Sequence, residues 1–148
     1  MHEKLVALVT GADQGIGLQI AKDLAAQGYT VLVGSRNLQN GETAGPRIGA
    51  AAHALQLDVT KPDFIAATAA ARIRQEFAHL DVLVNNAAIA HAGRSGRSNE
   101  ENYRDGLATH TALDEVRAVF ETNVFGVIAL TQAVLPLLRE PPPPASST

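Results

Sequence analysis

At 148 residues the chain has the length of one domain, enough to bury about two-thirds of its unfolded surface. Hydrophobic residues make up 46% of it and aromatics only 4%, which suits helices packed on a parallel sheet better than a small all-β domain. A net charge of -3 with scattered Lys and Arg argues against a nucleic-acid partner, the lack of cysteine excludes disulfides and thiolate metal sites, and the histidines (His2, His53, His79, His91, His110) show no metal-ligand spacing.

Residues 5–9 (LVALV) form a continuous apolar run ending in Thr10 and Gly11, which predicts a strand buried on both faces. Ile16, Ile20 and Leu24 then recur every four residues with Ala21 and Ala25 beside them, predicting a helix with one apolar face that Gly28 closes. Residues 30–33 are the second strand, so strand, Gly-rich turn, helix and strand occupy about thirty residues, the length of a βαβ unit. Residues 37–52 carry the returning crossover, where Gly41, Gly45, Pro46 and Gly49 predict a short or broken helix. Residues 54–57 read as a third strand. Thr60 and Asp63 resemble a capping box for an Ala-rich helix reaching about Phe77, and residues 81–85 read as a fourth strand.

Residues 91–106 are polar and Gly-, Ser- and Arg-rich and read as a loop, with Arg94 and Arg97 as solvated charges. Thr111 and Asp114 repeat the capping pattern and open a helix that is apolar nearly all round from Val124 to Leu138, a surface that must be covered. Gly126, Thr131, Gln132 and Pro136 interrupt that stretch, which is too short and broken to span a bilayer. With a first strand that starts almost at once and no basic-then-apolar leader, the expectation is a soluble cytoplasmic protein without a membrane partner. Residues 141–148 (PPPPASST) are expected to be disordered or extended, leaving residues 1–140 as the domain.

The strongest chemical signal is TGADQGIG at residues 10–17. Gly11 allows the turn off the strand, Gly15 lets backbone approach a pyrophosphate, and Gly17 lets the helix pack close to the strand. The exposed amides and the helix dipole then favour an anion, and the strand–turn–helix context makes a dinucleotide the ligand expected there. Asp13, Gln14 and Ile16 complete the turn. At the end of the second strand stand Ser35, Arg36 and Asn37, with no carboxylate for a ribose 2′-OH. Arg36 can pair bidentately with a 2′-phosphate and Ser35 adds a hydroxyl, which favours NADP(H) over NAD(H).

With the spacing G-x-x-x-G-x-G, the chain resembles the short-chain dehydrogenase/reductase family over almost its whole length, to about Arg139. Asp58 and Val59 resemble the family's adenine-contacting pair. Asn85, Asn86, Ala87 and Ala88 resemble its NNAG segment, which stabilises the sheet and lines the ribose site, with Ala88 in place of Gly expected to crowd the turn. Asn123 resembles the helix asparagine of the catalytic tetrad. The resemblance implies an α/β Rossmann-type doubly wound parallel sheet and carbonyl/alcohol oxidoreduction on a small molecule. It also implies a Ser at the end of a fifth strand and a Tyr-x-x-x-Lys pair: Ser146 and Ser147 lie in the Pro-rich tail, four residues after Tyr29 and Tyr103 stand Val33 and Leu107, and the lysines are Lys4, Lys22 and Lys61. The expectation is therefore an incomplete sheet of order 3-2-1-4, a chain cut short by truncation, frame change or expression boundary, and a catalytically inactive NADP(H)-binding module as the alternative to an enzyme. Strand 4 would be an edge and the last helix under-covered, which predicts self-association.

Overall fold

The computed structural model describes residues 4–90, 98–107 and 109–139. Four parallel strands, β1 (Val6–Thr10), β2 (Thr30–Ser35), β3 (Ala52–Gln56) and β4 (Val82–Val84), form one sheet in the order β3-β2-β1-β4. β1 is buried at every residue, as its unbroken apolar run requires, and alternation sends its side chains into two separate cores. Val6 and Leu8 join Leu32, Leu55, Ile65, Ile73, Leu130 and Leu137 on one face, while Val9 joins Leu18, Ala21, Val31 and Val33 on the other. Helices on both faces of a parallel sheet make the fold a doubly wound α/β, Rossmann-type arrangement.

Helix α1 (Gly15–Ala26) buries Gly17, Leu18 and Ala21. Ile16, expected on that apolar face, is instead 76% exposed and lines the cleft at the strand ends. Gly28 takes φ +92 and ends the helix, with its amide on the Ala25 carbonyl and that of Tyr29 on the Leu24 carbonyl. The crossover helix α2 (Leu38–Ile48) is eleven residues long and unbroken, contrary to expectation. Gly41, Ala44 and Gly45 are buried, and Gly41 serves packing, since a Cβ there would sit 3.3 Å from Ala54 Cβ. Asn37 caps α2 by accepting from the Asn40 amide.

Helix α3 runs through Pro62–Phe64, a wider π-type stretch Ile65–Ala70, and Ala71–Phe77. The expected capping box is absent, because Thr60 turns back to Asp58 and Lys61 takes the N-cap position without a side-chain bond. The region read as a loop holds a short helix α4 (Asn99–Asp105), opened by reciprocal bonds between Ser98 and Glu101. Arg94, Arg97 and residues 141–148 lie outside the described residues.

Helix α5 joins Leu113–Phe120, a π-type stretch Glu121–Phe125, and Gly126–Arg139. Ala112, not Thr111, is its N-cap, without a side-chain bond. Because helix continues upstream of Val124, residues Leu113–Leu138 are long and apolar enough to cross a membrane by length and composition, which corrects the expectation from the shorter stretch. The same span packs on the sheet through Leu130, Val134 and Leu137. Its outer face keeps Leu113, Phe120, Phe125 and Ile128 exposed, and among the described residues β4 pairs on one side only.

Candidate nucleotide-binding site

Every strand of a parallel sheet ends on the same edge, so the segments that follow the strands converge. There a cleft of about 860 Å³ opens between the glycine turn, the β2–α2 junction, the segment after β3 and the segment after β4. Gly11, Asp13, Gln14, Ile16 and Gly17 form one wall, and Ser35, Arg36 and Asn37 another. Asp58, Val59 and Ala87 also line it. Gly15 opens α1 between the lining residues Gln14 and Ile16 and is exposed. Asn85 is exposed and turns its side chain to Thr131 on α5 at 3.4 Å, and Asn123 stands beside Thr122, which reaches the cleft.

The turn is held open by backbone chemistry. Gly11 and Gly15 take φ +60 and +58, where a side chain is strained, and a Cβ on Gly15 would meet nothing within 4 Å. A Cβ on Gly17 would fall well inside 3.0 Å of the Gly11 carbonyl oxygen and of Asn86 Nδ2. The start of α1 has no side-chain cap and no acidic residue in its first turn, so its amides and positive dipole end face open space.

Asn86, placed in the ribose-lining segment from sequence, and Thr10, which sequence did not single out, brace this turn. The Asn86 side-chain amide donates to the carbonyls of Thr10 at 3.0 Å and Gly11 at 3.1 Å. The buried Thr10 hydroxyl accepts from the amides of Asn86 at 2.9 Å and Ala87 at 2.8 Å. Both lie in the quoted motifs, but the bond that joins them spans 76 positions and appears only when β1 and β4 pair. Ala88 lines the cleft and does not take a positive φ, so the methyl group brings no backbone strain there. Asn123 sits in the π-type stretch of α5, where its side chain donates to the Ile89 carbonyl at 2.7 Å and accepts from the Ile89 amide at 2.9 Å. Gly126 brings α5 against the Asp58–Val59 segment, since a Cβ there would lie 2.8 Å from the Val59 carbonyl oxygen.

Burial by itself would raise the Asp58 pKa, but the Thr60 hydroxyl at 2.6 Å and amide at 3.0 Å, then the Lys61 and Arg36 charges, hold it below its ordinary value of 3.8. A carboxylate with a depressed folded-state pKa contributes stability above its unfolded value and loses it as pH falls through the folded one. We expect Asp58→Asn to flatten the acid limb of the pH–stability curve below pH 3.8, as followed by chemical denaturation. An unchanged acid limb would show that Asp58 is not coupled to folding.

Residues 5–142 match the short chain dehydrogenase family. A short-chain dehydrogenase of Penicillium roqueforti is 37% identical over 142 residues, covering 92% of this chain and 50% of that protein. The structure of a 3-ketoacyl-(acyl-carrier-protein) reductase from Brucella melitensis complexed with NADH superposes with TM-score 0.74 at 31% identity, covering 91% of this chain and 50% of that one. A metagenomic short-chain oxidoreductase in complex with NADP gives TM-score 0.74 at 28% identity, covering 90% and 56%. The chain spans about half the length of the curated relatives it matches. On the match of its sequence and the likeness of its fold, the chain belongs to the short-chain dehydrogenase family.

Proposed function

We propose that these residues form the nucleotide-binding half of an NADP(H)-dependent oxidoreductase acting on a small carbonyl or alcohol substrate in the cytoplasm. The family uses NAD(H) or NADP(H) and acts on small molecules. The observation that carries the reading is the placement of Arg36 on the same cleft as the open glycine turn. Amides at the start of α1 suit a pyrophosphate, Asp58 and Val59 suit the adenine, and the exposed guanidinium suits a 2′-phosphate. Bound NADPH would supply a hydride, and the chain's own part is to hold and orient the nucleotide. Titrating NADPH and NADH by nucleotide fluorescence tests this: saturable binding with NADPH the tighter is expected, and equal affinities would remove the NADP(H) preference.

A second reading rests on the same 148 residues. They contain no Tyr-x-x-x-Lys pair, so no tyrosine is in place to exchange a proton with a substrate oxygen. The polypeptide by itself is then a binding module, and NADPH oxidation with a panel of carbonyl compounds should stay at background. Turnover above background that depends on the protein would refute that.

We further propose that the exposed face of α5 and the edge of β4 that is unpaired among the described residues meet a second copy of the chain. Phe120 and Phe125 are 51% and 56% exposed, and Leu113 and Ile128 on the same helix are exposed too, an apolar surface that monomers in water rarely keep. Sedimentation should show an assembly larger than the monomer at micromolar concentration. A stable monomer, or partition onto neutral vesicles, would contradict it.

A further inference from the structure

Three charged residues line the cleft: Asp13, Arg36 and Asp58. Asp58 is engaged by Thr60 and Lys61. The Asp13 carboxylate has no hydrogen-bond or ion-pair partner among the described residues. It is half-buried on the glycine turn, and that turn is stitched to the end of β2, where the Ala12 amide donates to the Gly34 carbonyl at 3.0 Å. The approach is close: a Cβ on Gly34 would lie 2.9 Å from the Val9 carbonyl oxygen. Asp13 follows Ala12 directly, and Ser35 and Arg36 follow Gly34, so an acid and a base from two different elements line the same cleft on either side of the Ala12–Gly34 bond. The β2 end bears no acid, yet the cleft is supplied with one from the turn.

A carboxylate accepts from ribose hydroxyls, whereas an arginine takes a 2′-phosphate. We propose that Asp13 is a second cofactor-selecting residue, accepting the adenosine ribose hydroxyls and opposing a 2′-phosphate, so that the balance between Asp13 and Arg36 sets how far NADPH is preferred and NADH still binds, more weakly than NADPH. The inference rests on the dinucleotide reading of the cleft. With NADH the vicinal diol offers two donors to the carboxylate. With NADPH one donor is replaced by a dianion, which Arg36 attracts and Asp13 repels.

The test compares Kd values for NADPH and NADH in one buffer for the wild type, Asp13→Asn, Asp13→Ser and Arg36→Asp. Removing one like charge at a half-exposed site should tighten NADPH about five- to tenfold. NADH should hold or weaken, so the preference moves toward NADPH. A ratio that stays within about twofold, or a parallel loss of both nucleotides, would overturn the role of Asp13. If Arg36→Asp shifts the ratio and the Asp13 variants do not, this inference fails and the cleft reading stands. If the wild type binds neither nucleotide, both fail.

Discussion

Replacing Gly17 with alanine is expected to unseat the glycine turn and abolish nucleotide binding. The new Cβ would fall within 3.0 Å of the Gly11 carbonyl oxygen and of Asn86 Nδ2, two groups already bonded to each other. Neither can yield cheaply, because the carbonyl is backbone and Asn86 also holds Thr10. Overpacking of this kind costs about 1–3 kcal/mol, to which the loosened Asn86 bonds add. Gly15→Ala is the informative contrast. Its Cβ meets no protein atom within 4 Å but stands at φ +58, on the face where a pyrophosphate would lie. That variant should lose about 1 kcal/mol of stability to backbone strain and most of its affinity for the nucleotide. Thermal melts with NADPH titrations separate the two, and a Gly17→Ala protein with wild-type melting and affinity would contradict the packing described.

Arg36→Asp is expected to reverse the nucleotide preference. The Arg36 guanidinium is exposed and makes no hydrogen bond among the described residues, so its removal should leave the fold intact. Losing charge-assisted bonds to a 2′-phosphate and placing a carboxylate there costs about 2–4 kcal/mol for NADPH, or roughly thirty- to a thousandfold in Kd. NADH, with hydroxyls for the new carboxylate, should bind as well or better. The same change removes one of the charges that hold Asp58 below its ordinary pKa, so the Asp58 carboxyl should move upward. Unchanged NADPH affinity would place the phosphate elsewhere.

Much of this arrangement is legible in the chain because it depends on local pattern. An unbroken apolar run specifies β1, the glycine spacing specifies the turn, and Gly28 specifies the end of α1, since each is decided within a few residues. What pattern alone misjudged depends on tertiary context. The glycines of α2 look like breakers until β3 lies against the helix, where Gly41 meets Ala54. Thr60 looks like a cap until Asp58 engages it. Ile16 fits an apolar spacing but faces the cleft. In the site, the glycine turn and the segments after the strands could be picked from sequence, but not the long-range brace between Thr10 and Asn86 or the meeting of Asp13 and Arg36 on one cleft. Both arise where β1 pairs with its two neighbours, and no spacing along the chain encodes that.

The most direct measurement is a crystal structure of the 148-residue chain grown with NADPH. The account predicts the pyrophosphate against the amides that open α1, the adenine beside Asp58 and Val59, and the 2′-phosphate within hydrogen-bond distance of the Arg36 guanidinium. A nucleotide bound outside this cleft, or seated in it with the 2′-phosphate turned away from Arg36, would contradict it.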